Sequence, residues 1–196
     1  MANGTPVRRL LNGRFAFFQE FLRHPLEIGS VVPSSRYLER RVLDAAAIES
    51  ARTVVELGSG TGGTTRAILR AMRPHAKLLS IDINPHFHAM VSDIDDDRLI
   101  AHLGDAHDLP SILRHYGLDA PEAVISGIPF STMDRQVGAE ICQVISNLLV
   151  PNGRFVAYQV SNRVATLCRP LFGTERVALE FRNVPPMRVY HWQKAS

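Results

Sequence analysis

Cysteine is scarce in this sequence, which has only Cys142 and Cys168 among its 196 residues. Their spacing matches neither a CxxC redox pair nor a pair of zinc ligands. Two cysteines also cannot staple a disulfide-framed fold. We therefore predict two buried thiols in a protein that is kept in a reducing compartment.

Long apolar runs are also lacking. No stretch approaches the roughly 18 uncharged apolar residues of a membrane-spanning helix. A signal peptide is not expected, because the polar segment 12–14 directly follows Leu10 and Leu11. With 45% apolar and 21% charged residues, the composition is ordinary for a soluble globular protein and excludes a collagen-like or disordered chain, while the two predicted thiols favour a cytoplasmic location.

Charge is unevenly distributed, although the formal net charge is only +3. Residues 1–42 carry a net charge of +4 and residues 151–196 carry +5, whereas residues 43–150 carry −6. Basic ends around an acidic middle favour a polyanionic partner, either a nucleic acid or an anionic membrane surface. A mixed surface without a specific partner is the alternative.

Strand-like and helix-like segments alternate from residue 53 onward. Short apolar segments predict strands at 53–57, 76–82, 98–102, 122–126, 154–159, 175–181 and 188–192. Helices are expected at 62–72, after Asn84, and at 109–115, 134–150 and 162–170. The alternation predicts an α/β fold with a mostly parallel seven-stranded sheet, helices on both faces and an antiparallel C-terminal edge hairpin.

Two further helices are expected before the first strand, at 8–23 and from about residue 34 to residue 47. We predict a single domain over residues 1–196. It consists of an N-terminal helical segment at 1–47 and a catalytic core at 52–196.

A glycine-rich segment, residues 58–63 (Gly-Ser-Gly-Thr-Gly-Gly), follows the first predicted strand. Ligands of parallel α/β sheets bind beyond the carboxyl ends of the strands. Glycines there let the backbone approach a ligand and begin a helix whose N–H groups point at it. The segment also fits the G-x-G-x-x-G dinucleotide pattern, but the carboxylate of Glu56 suits a cation better than a pyrophosphate.

Together with Glu56, this segment resembles the first motif, E/D-x-G-x-G-x-G, of the class I S-adenosylmethionine (SAM) methyltransferases. Asp82 stands at the second strand end, where that family has an acid that binds both ribose hydroxyls. Asp105 follows the third strand, where the family often binds the adenine amino group. The resemblance implies a Rossmann-like class I methyltransferase fold, with SAM as cofactor and S-adenosylhomocysteine as product. The implied cofactor-binding residues are Glu56, Gly58, Ser59, Gly60, Gly62, Asp82, Ile83, Asp105, Ala106 and Ser126.

The segment after the fourth strand, residues 126–130 (Ser-Gly-Ile-Pro-Phe), resembles the [N/D/S]-x-P-[Y/F] motif of amine-directed methyltransferases. In that motif the first side chain and nearby carbonyls accept hydrogen bonds from the amine, and the aromatic ring packs on it. Gly127 lacks that side chain, which disfavours a nucleobase amine. Main-chain carbonyls and Ser126 remain available, and Phe130 either contacts a methylated ammonium through a cation–π interaction or belongs to the core.

The sequence as a whole resembles the bacterial phospholipid N-methyltransferases of the soluble-fold type, in segments 21–25, 29–35 and 127–130. The resemblance implies stepwise methylation of phosphatidylethanolamine toward phosphatidylcholine. The amine must be neutral to react, so a side chain or water must take its proton. Polar candidates for that role are His24, Tyr37, Ser126, Tyr158 and Gln159. The predicted catalytic residues are Tyr37, Ser126, Gly127, Ile128, Pro129, Phe130 and Tyr158, of which the tyrosines could also form a cationic cage or core packing.

The predicted helix at 8–23 has an apolar stripe at helical spacing, flanked by arginines. Such a helix suits an anionic membrane interface, and the resemblance likewise implies reversible membrane docking. The predicted membrane-binding residues are Arg8, Arg9, Arg14, Phe15, Phe17, Phe18 and Phe21. We therefore expect a peripheral protein of the cytoplasmic membrane face. A lid over the SAM pocket is the alternative, and both roles are compatible.

Other functions remain open at this point. Ribosomal adenine dimethyltransferases have a similar core, but Gly127 and the short chain disfavour them, so we expect no nucleic-acid partner. A small-molecule amine methyltransferase, a SAM-binding protein without catalysis and a dinucleotide oxidoreductase are the others. We expect no metal, because His86 and His88 lie two positions apart on a predicted helix and diverge.

Overall fold

The computed structural model describes residues 34–196 and contains one seven-stranded sheet. The strands are β1 (Thr53–Leu57), β2 (Lys77–Asp82), β3 (Leu99–Leu103), β4 (Ala123–Ser126), β5 (Arg154–Gln159), β6 (Arg176–Glu180) and β7 (Met187–Gln193). Their order across the sheet is β3-β2-β1-β4-β5-β7-β6. Strands β1 to β5 are parallel, whereas β7 pairs antiparallel with both β5 and β6. The predicted fold class is confirmed.

Six α-helices occur in the described part of the chain. They are α1 (Arg36–Ala46), α2 (Gly63–Ala71), α3 (Pro85–Ser92), α4 (Leu109–His115), α5 (Arg135–Leu148) and α6 (Arg163–Phe172). Side-chain caps fix three of their starts: Ser35 Oγ accepts a hydrogen bond from the Leu38 amide, Asn84 Oδ1 accepts one from the His86 amide, and Asp134 Oδ1 accepts one from the Gln136 amide. Within residues 34–196, no helix has the length and hydropathy that a membrane crossing requires. The helix predicted at 8–23 lies outside the described residues.

Helices cover both faces of the sheet, as predicted. Because successive side chains of a strand point to opposite faces, Val54 and Val55 of β1 enter different apolar clusters. One cluster contains residues of α4, α5 and α6, including Cys142 and Cys168, which are buried and unbridged. The other cluster contains residues of α1 and α2.

The C-terminal hairpin returns the chain to the edge of the sheet at which β1 to β5 end, which we term the carboxyl edge. Since β7 runs antiparallel to β5, Gln159 at the end of β5 pairs with Arg188 near the start of β7. Glu180, the last residue of β6, pairs with Met187. The loop at 181–186 therefore lies at the carboxyl edge.

Candidate cofactor and acceptor site

The loop after β1 lies at the carboxyl edge, and its shape depends on glycine. Gly58 and Gly62 have φ angles of +77° and +81°, which side-chain-bearing residues rarely adopt. The Gly58 amide donates a 2.8 Å hydrogen bond to the carbonyl of Ile81, and Gly62 caps the N-terminus of α2. A Cβ on Gly60 would meet no atom of residues 34–196 within 4 Å beyond its chain neighbours, so the described part of the protein leaves space open beside the start of α2.

Asp82, at the end of β2, holds the loop after β1 in place through hydrogen bonds. Its Oδ2 accepts hydrogen bonds from the Ser59 hydroxyl at 3.2 Å and the Gly60 amide at 3.1 Å. Its Oδ1 accepts one from the Asn84 amide at 2.8 Å. Burial raises the pKa of Asp82 above its ordinary value, although these hydrogen bonds oppose the shift. Asp82 thus joins the loops after β1 and β2, where the family pattern has its ribose-binding acid.

Glu56 lies one residue before the end of β1 and is fully buried. Its Oε2 accepts hydrogen bonds from the hydroxyls of Thr65 at 2.6 Å and Ser80 at 2.8 Å. Its Oε1 is buried and has no hydrogen-bond partner among residues 34–196. The pKa of Glu56 is raised to about 7: burial is the largest cause, the nearby charge of Asp82 adds to it, and the two hydroxyls oppose it.

The unpartnered oxygen of Glu56 is a group that a cation would complement. A buried carboxylate oxygen without a partner costs free energy, and a cation placed against it removes that cost. SAM carries an ammonium group as well as a ribose diol. The residues present therefore fit SAM, with Glu56 available to the ammonium and Asp82 to the hydroxyls.

The loop after β3 adjoins Asp82, since the Gly104 amide donates a 3.0 Å hydrogen bond to the Asp82 carbonyl. Asp105 caps the short turn Ala106–Asp108, and its Oδ1 accepts a 2.9 Å hydrogen bond from the His107 amide. Ala106 is buried. Asp105, to which the family pattern assigns adenine binding, and its neighbour Ala106 thus lie at the same edge as Asp82.

Gly127, after β4, occupies a position that admits no side chain. Its amide donates a 2.8 Å hydrogen bond to the carbonyl of Leu57. A Cβ there would lie 2.6 Å from Tyr158 Oη and 2.8 Å from the Gly58 carbonyl oxygen. The departure from the amine-directed motif therefore has a steric cause: the phenol of Tyr158 fills the space into which a side chain at 127 would project.

Tyr158 places a neutral polar group beside Gly127. Its Oη lies 3.4 Å from the hydroxyl of Thr64. Burial raises the pKa of Tyr158, and the negative charges of Glu56 and Asp82 raise it further. The side chain therefore stays a neutral phenol at neutral pH. It can form hydrogen bonds at this position, but it does not act as a phenolate base.

Some of the other residues predicted to bind the acceptor lie in the turn at the carboxyl edge, and others are buried in the core. Ser126 is fully buried, and its Oγ accepts a 3.2 Å hydrogen bond from the Ile128 amide. The Ile128 carbonyl accepts a 2.6 Å hydrogen bond from Gln159 Nε2, whose amide oxygen Oε1 is buried without a partner among the described residues. Pro129 is half-buried in the same turn. Phe130 is fully buried in the cluster with α5 and α6, so its contact with an amine stays a prediction.

Tyr37 lies in the first turn of α1, against the loop at 181–186. The guanidinium carbons of Arg36 and Arg182 lie 4.9 and 4.5 Å from its ring centroid. Its aromatic face is thus already in contact with cations. His24 and the predicted membrane-binding residues lie outside the described residues.

The sequence did not identify the hydroxyl groups that form hydrogen bonds with Glu56 and Tyr158. Ser80 had a signal, because it is an uncharged polar residue inside the apolar strand β2. Thr64 and Thr65 had none, since threonine in the first turn of a helix indicates nothing specific. Among residues 34–196, no group of three or more His, Cys, Asp or Glu is arranged to hold a metal ion.

Comparison with solved structures confirms the fold. The N-methyltransferase NodS from Bradyrhizobium japonicum superposes with a TM-score of 0.68 at 11% identity, covering 82% of this chain and 96% of that one. The precorrin-6y C5,15-methyltransferase from Geobacter metallireducens gives a TM-score of 0.66 at 14% identity, covering 84% and 92%. The chain therefore has the fold of the class I SAM-dependent methyltransferases. NodS has also been solved in complex with S-adenosylhomocysteine, which agrees with the cofactor that the sequence predicts.

The similarity to one curated protein points to a more specific class of methyltransferase. The chain is 29% identical over 185 residues to the ornithine lipid N-methyltransferase of Singulisphaera acidiphila, covering 90% of this chain and 93% of that protein. No family model matches the chain. The resemblance to bacterial lipid N-methyltransferases is thus confirmed.

Proposed function

We propose that this protein is a SAM-dependent N-methyltransferase that methylates the amine of a membrane lipid. The proposal rests on the observation that two features lie together at the carboxyl edge. One is the buried, unpartnered Oε1 of Glu56, which suits a cationic cofactor. The other is the segment at 126–130, which adjoins the loop after β1 and resembles an amine-binding motif.

The ends of β1, β2 and β3 together hold the cofactor. Glu56 binds the ammonium group and Asp82 binds the ribose hydroxyls. Asp105 and Ala106 border the adenine, while the glycine loop after β1 lets the backbone approach. SAM supplies an electrophilic methyl group on a sulfonium, and transfer leaves a neutral thioether on the leaving side.

The acceptor amine is held by oxygen atoms next to Gly127. Tyr158 Oη and the unpartnered Oε1 of Gln159 are the side-chain acceptors in reach of segment 127–128. They orient the amine N–H groups so that the nitrogen lone pair faces the methyl carbon. Positioning of this kind supplies most of the rate in such a displacement. Because Tyr158 is a neutral phenol, the amine proton leaves to water.

The acceptor is an aminolipid. The sequence resemblance favours phosphatidylethanolamine and its methylated intermediates, with phosphatidylcholine as the final product. The name of the S. acidiphila relative specifies an ornithine lipid. Ethanolamine and ornithine headgroups both present a primary amine on a short flexible chain, so one site suits both.

Transfer of a labelled methyl group tests this proposal. We expect the purified protein to move the label from SAM to detergent-dispersed phosphatidylethanolamine, and a parallel reaction contains ornithine lipid. Free ethanolamine and ribosomal RNA serve as comparison acceptors. Label found only in ethanolamine or RNA would contradict a lipid acceptor, as would no transfer by protein that binds S-adenosylhomocysteine.

A further inference from the structure

The loop at 181–186 exposes two large apolar side chains at the carboxyl edge. Phe181 is 71% exposed and Val184 is 76% exposed, the highest fractions among the large apolar residues that the structure describes. Val160, just beyond the end of β5, is also exposed at this edge. Large apolar side chains that are so exposed at one edge of a sheet indicate a surface that another molecule can cover.

Specific contacts hold this loop in position beside α1. Asn183 is buried, and its Oδ1 accepts a 2.9 Å hydrogen bond from the Ser35 amide. Its Nδ2 donates a 3.0 Å hydrogen bond to the carbonyl of Pro185. Glu180 forms a 3.1 Å ion pair with Arg41. The apolar side chains are therefore presented by an anchored loop.

The charges around the loop are positive. Arg182 and Arg36 are exposed and lie against Tyr37, and Arg188 is exposed and donates to the Val160 carbonyl. Glu180 is the one acid in segment 176–188, and it is buried. Exposed arginines beside apolar side chains complement an anionic lipid surface, where each cation contributes to binding.

The exposed loop and the proposed site lie at the same edge of the sheet, so membrane contact through the loop bears on how the substrate enters. The loop, the glycine segment after β1 and the segment at 126–130 all lie at the carboxyl edge. A lipid amine that stays attached to its bilayer can enter only if this edge faces the membrane. We propose that Phe181, Val184 and the arginines at 36, 182 and 188 form a membrane-contact surface that seats the carboxyl edge on an anionic bilayer. This inference rests on the proposed lipid acceptor.

A pair of double variants on the same hairpin tests the surface. Phe181→Ser/Arg182→Glu changes the surface itself. Val177→Ser/Arg176→Glu changes an exposed apolar residue and an exposed arginine near the start of β6, toward the opposite edge of the sheet. The probe is sedimentation with phosphatidylcholine vesicles that contain phosphatidylglycerol. We expect binding to fall at least about tenfold in the first variant and less than about twofold in the second.

Two further readouts separate this surface from the proposed function. Affinity for S-adenosylhomocysteine and methyl transfer to detergent-dispersed aminolipid should be equal in wild type and both variants. A wild type that binds the vesicles but methylates no dispersed lipid would overturn the proposed function and leave the surface standing. Equal vesicle binding by all three proteins would overturn the surface.

Discussion

Glu56→Gln should weaken SAM binding by on the order of 100-fold, yet leave the ligand-free protein at least as stable as wild type at pH 8. Glutamine has the same shape and can still accept hydrogen bonds from Thr65 and Ser80 through one oxygen. It offers no negative charge to a cation at the position of Oε1. The ligand-free protein loses nothing comparable, because burying the Glu56 charge is itself unfavourable.

The sign of the pH dependence follows from the pKa of Glu56, which burial raises to about 7. An unfolded chain has the ordinary, lower value, so the buried charge costs stability increasingly as pH rises toward 7 and fully above it. A bound ammonium favours the ionised form. SAM affinity should therefore fall about tenfold for each pH unit below about pH 7.

Titration calorimetry across pH, with thermal unfolding of the ligand-free proteins, measures both effects. Wild type should release protons on binding near and below pH 7, whereas Glu56→Gln should show a flat profile. A purely structural carboxylate would give the opposite pattern. In that case the variant would unfold at a lower temperature at pH 8 and bind SAM with unchanged affinity.

Gly127→Ala should lower kcat/KM by on the order of 100-fold, because a misplacement near 1 Å has that effect at a reacting centre. The added Cβ would lie under 3 Å from both Tyr158 Oη and the Gly58 carbonyl oxygen. The phenol can shift, but the carbonyl belongs to the glycine loop to which we assign cofactor binding. We therefore expect weaker SAM binding as well as slower transfer.

Two companion variants make the Gly127 result interpretable. Gly117→Ala places a Cβ in open space at a φ of +61°, in the connection that leads back to the start of β4. It should cost about 1 kcal/mol of stability and retain full activity. Gly127→Ala/Tyr158→Phe removes the contact with the phenol hydroxyl but leaves the Gly58 carbonyl oxygen 2.8 Å from the added Cβ, so it should recover only part of the lost stability and none of the transfer. A fully active Gly127→Ala enzyme would contradict the steric account.

The alternation of strands and helices made the fold predictable, and the fold in turn made the site predictable. Each predicted strand ends within one residue of the observed strand. Because parallel strands end at the same edge, Glu56, Asp82, Asp105 and Ser126 were expected together, and the structure places all four strand ends there. The tight loop after the first strand was equally predictable from its glycines, and the positive φ angles observed there explain why glycine is needed.

Contacts between distant segments could not be predicted from the sequence. The burial of Glu56 and its partner Ser80 depends on the register of β1 against β2. The reason for Gly127 lies in Tyr158, which is 31 positions away in the sequence and is brought close by the pairing of β4 with β5. The exposure of Phe181 depends on β7 lying between β5 and β6, a strand order that periodicity does not specify.

Lipid mass spectrometry tests the central claim, methylation of a membrane aminolipid, most directly. The host is a bacterium that makes phosphatidylethanolamine but no phosphatidylcholine, and Glu56→Gln expressed at the same level is the control. The account predicts mono-, di- or trimethylated aminolipid headgroups with the wild-type protein and none with the variant. Identical lipid profiles for both, from wild-type protein that is folded and binds SAM, would contradict it.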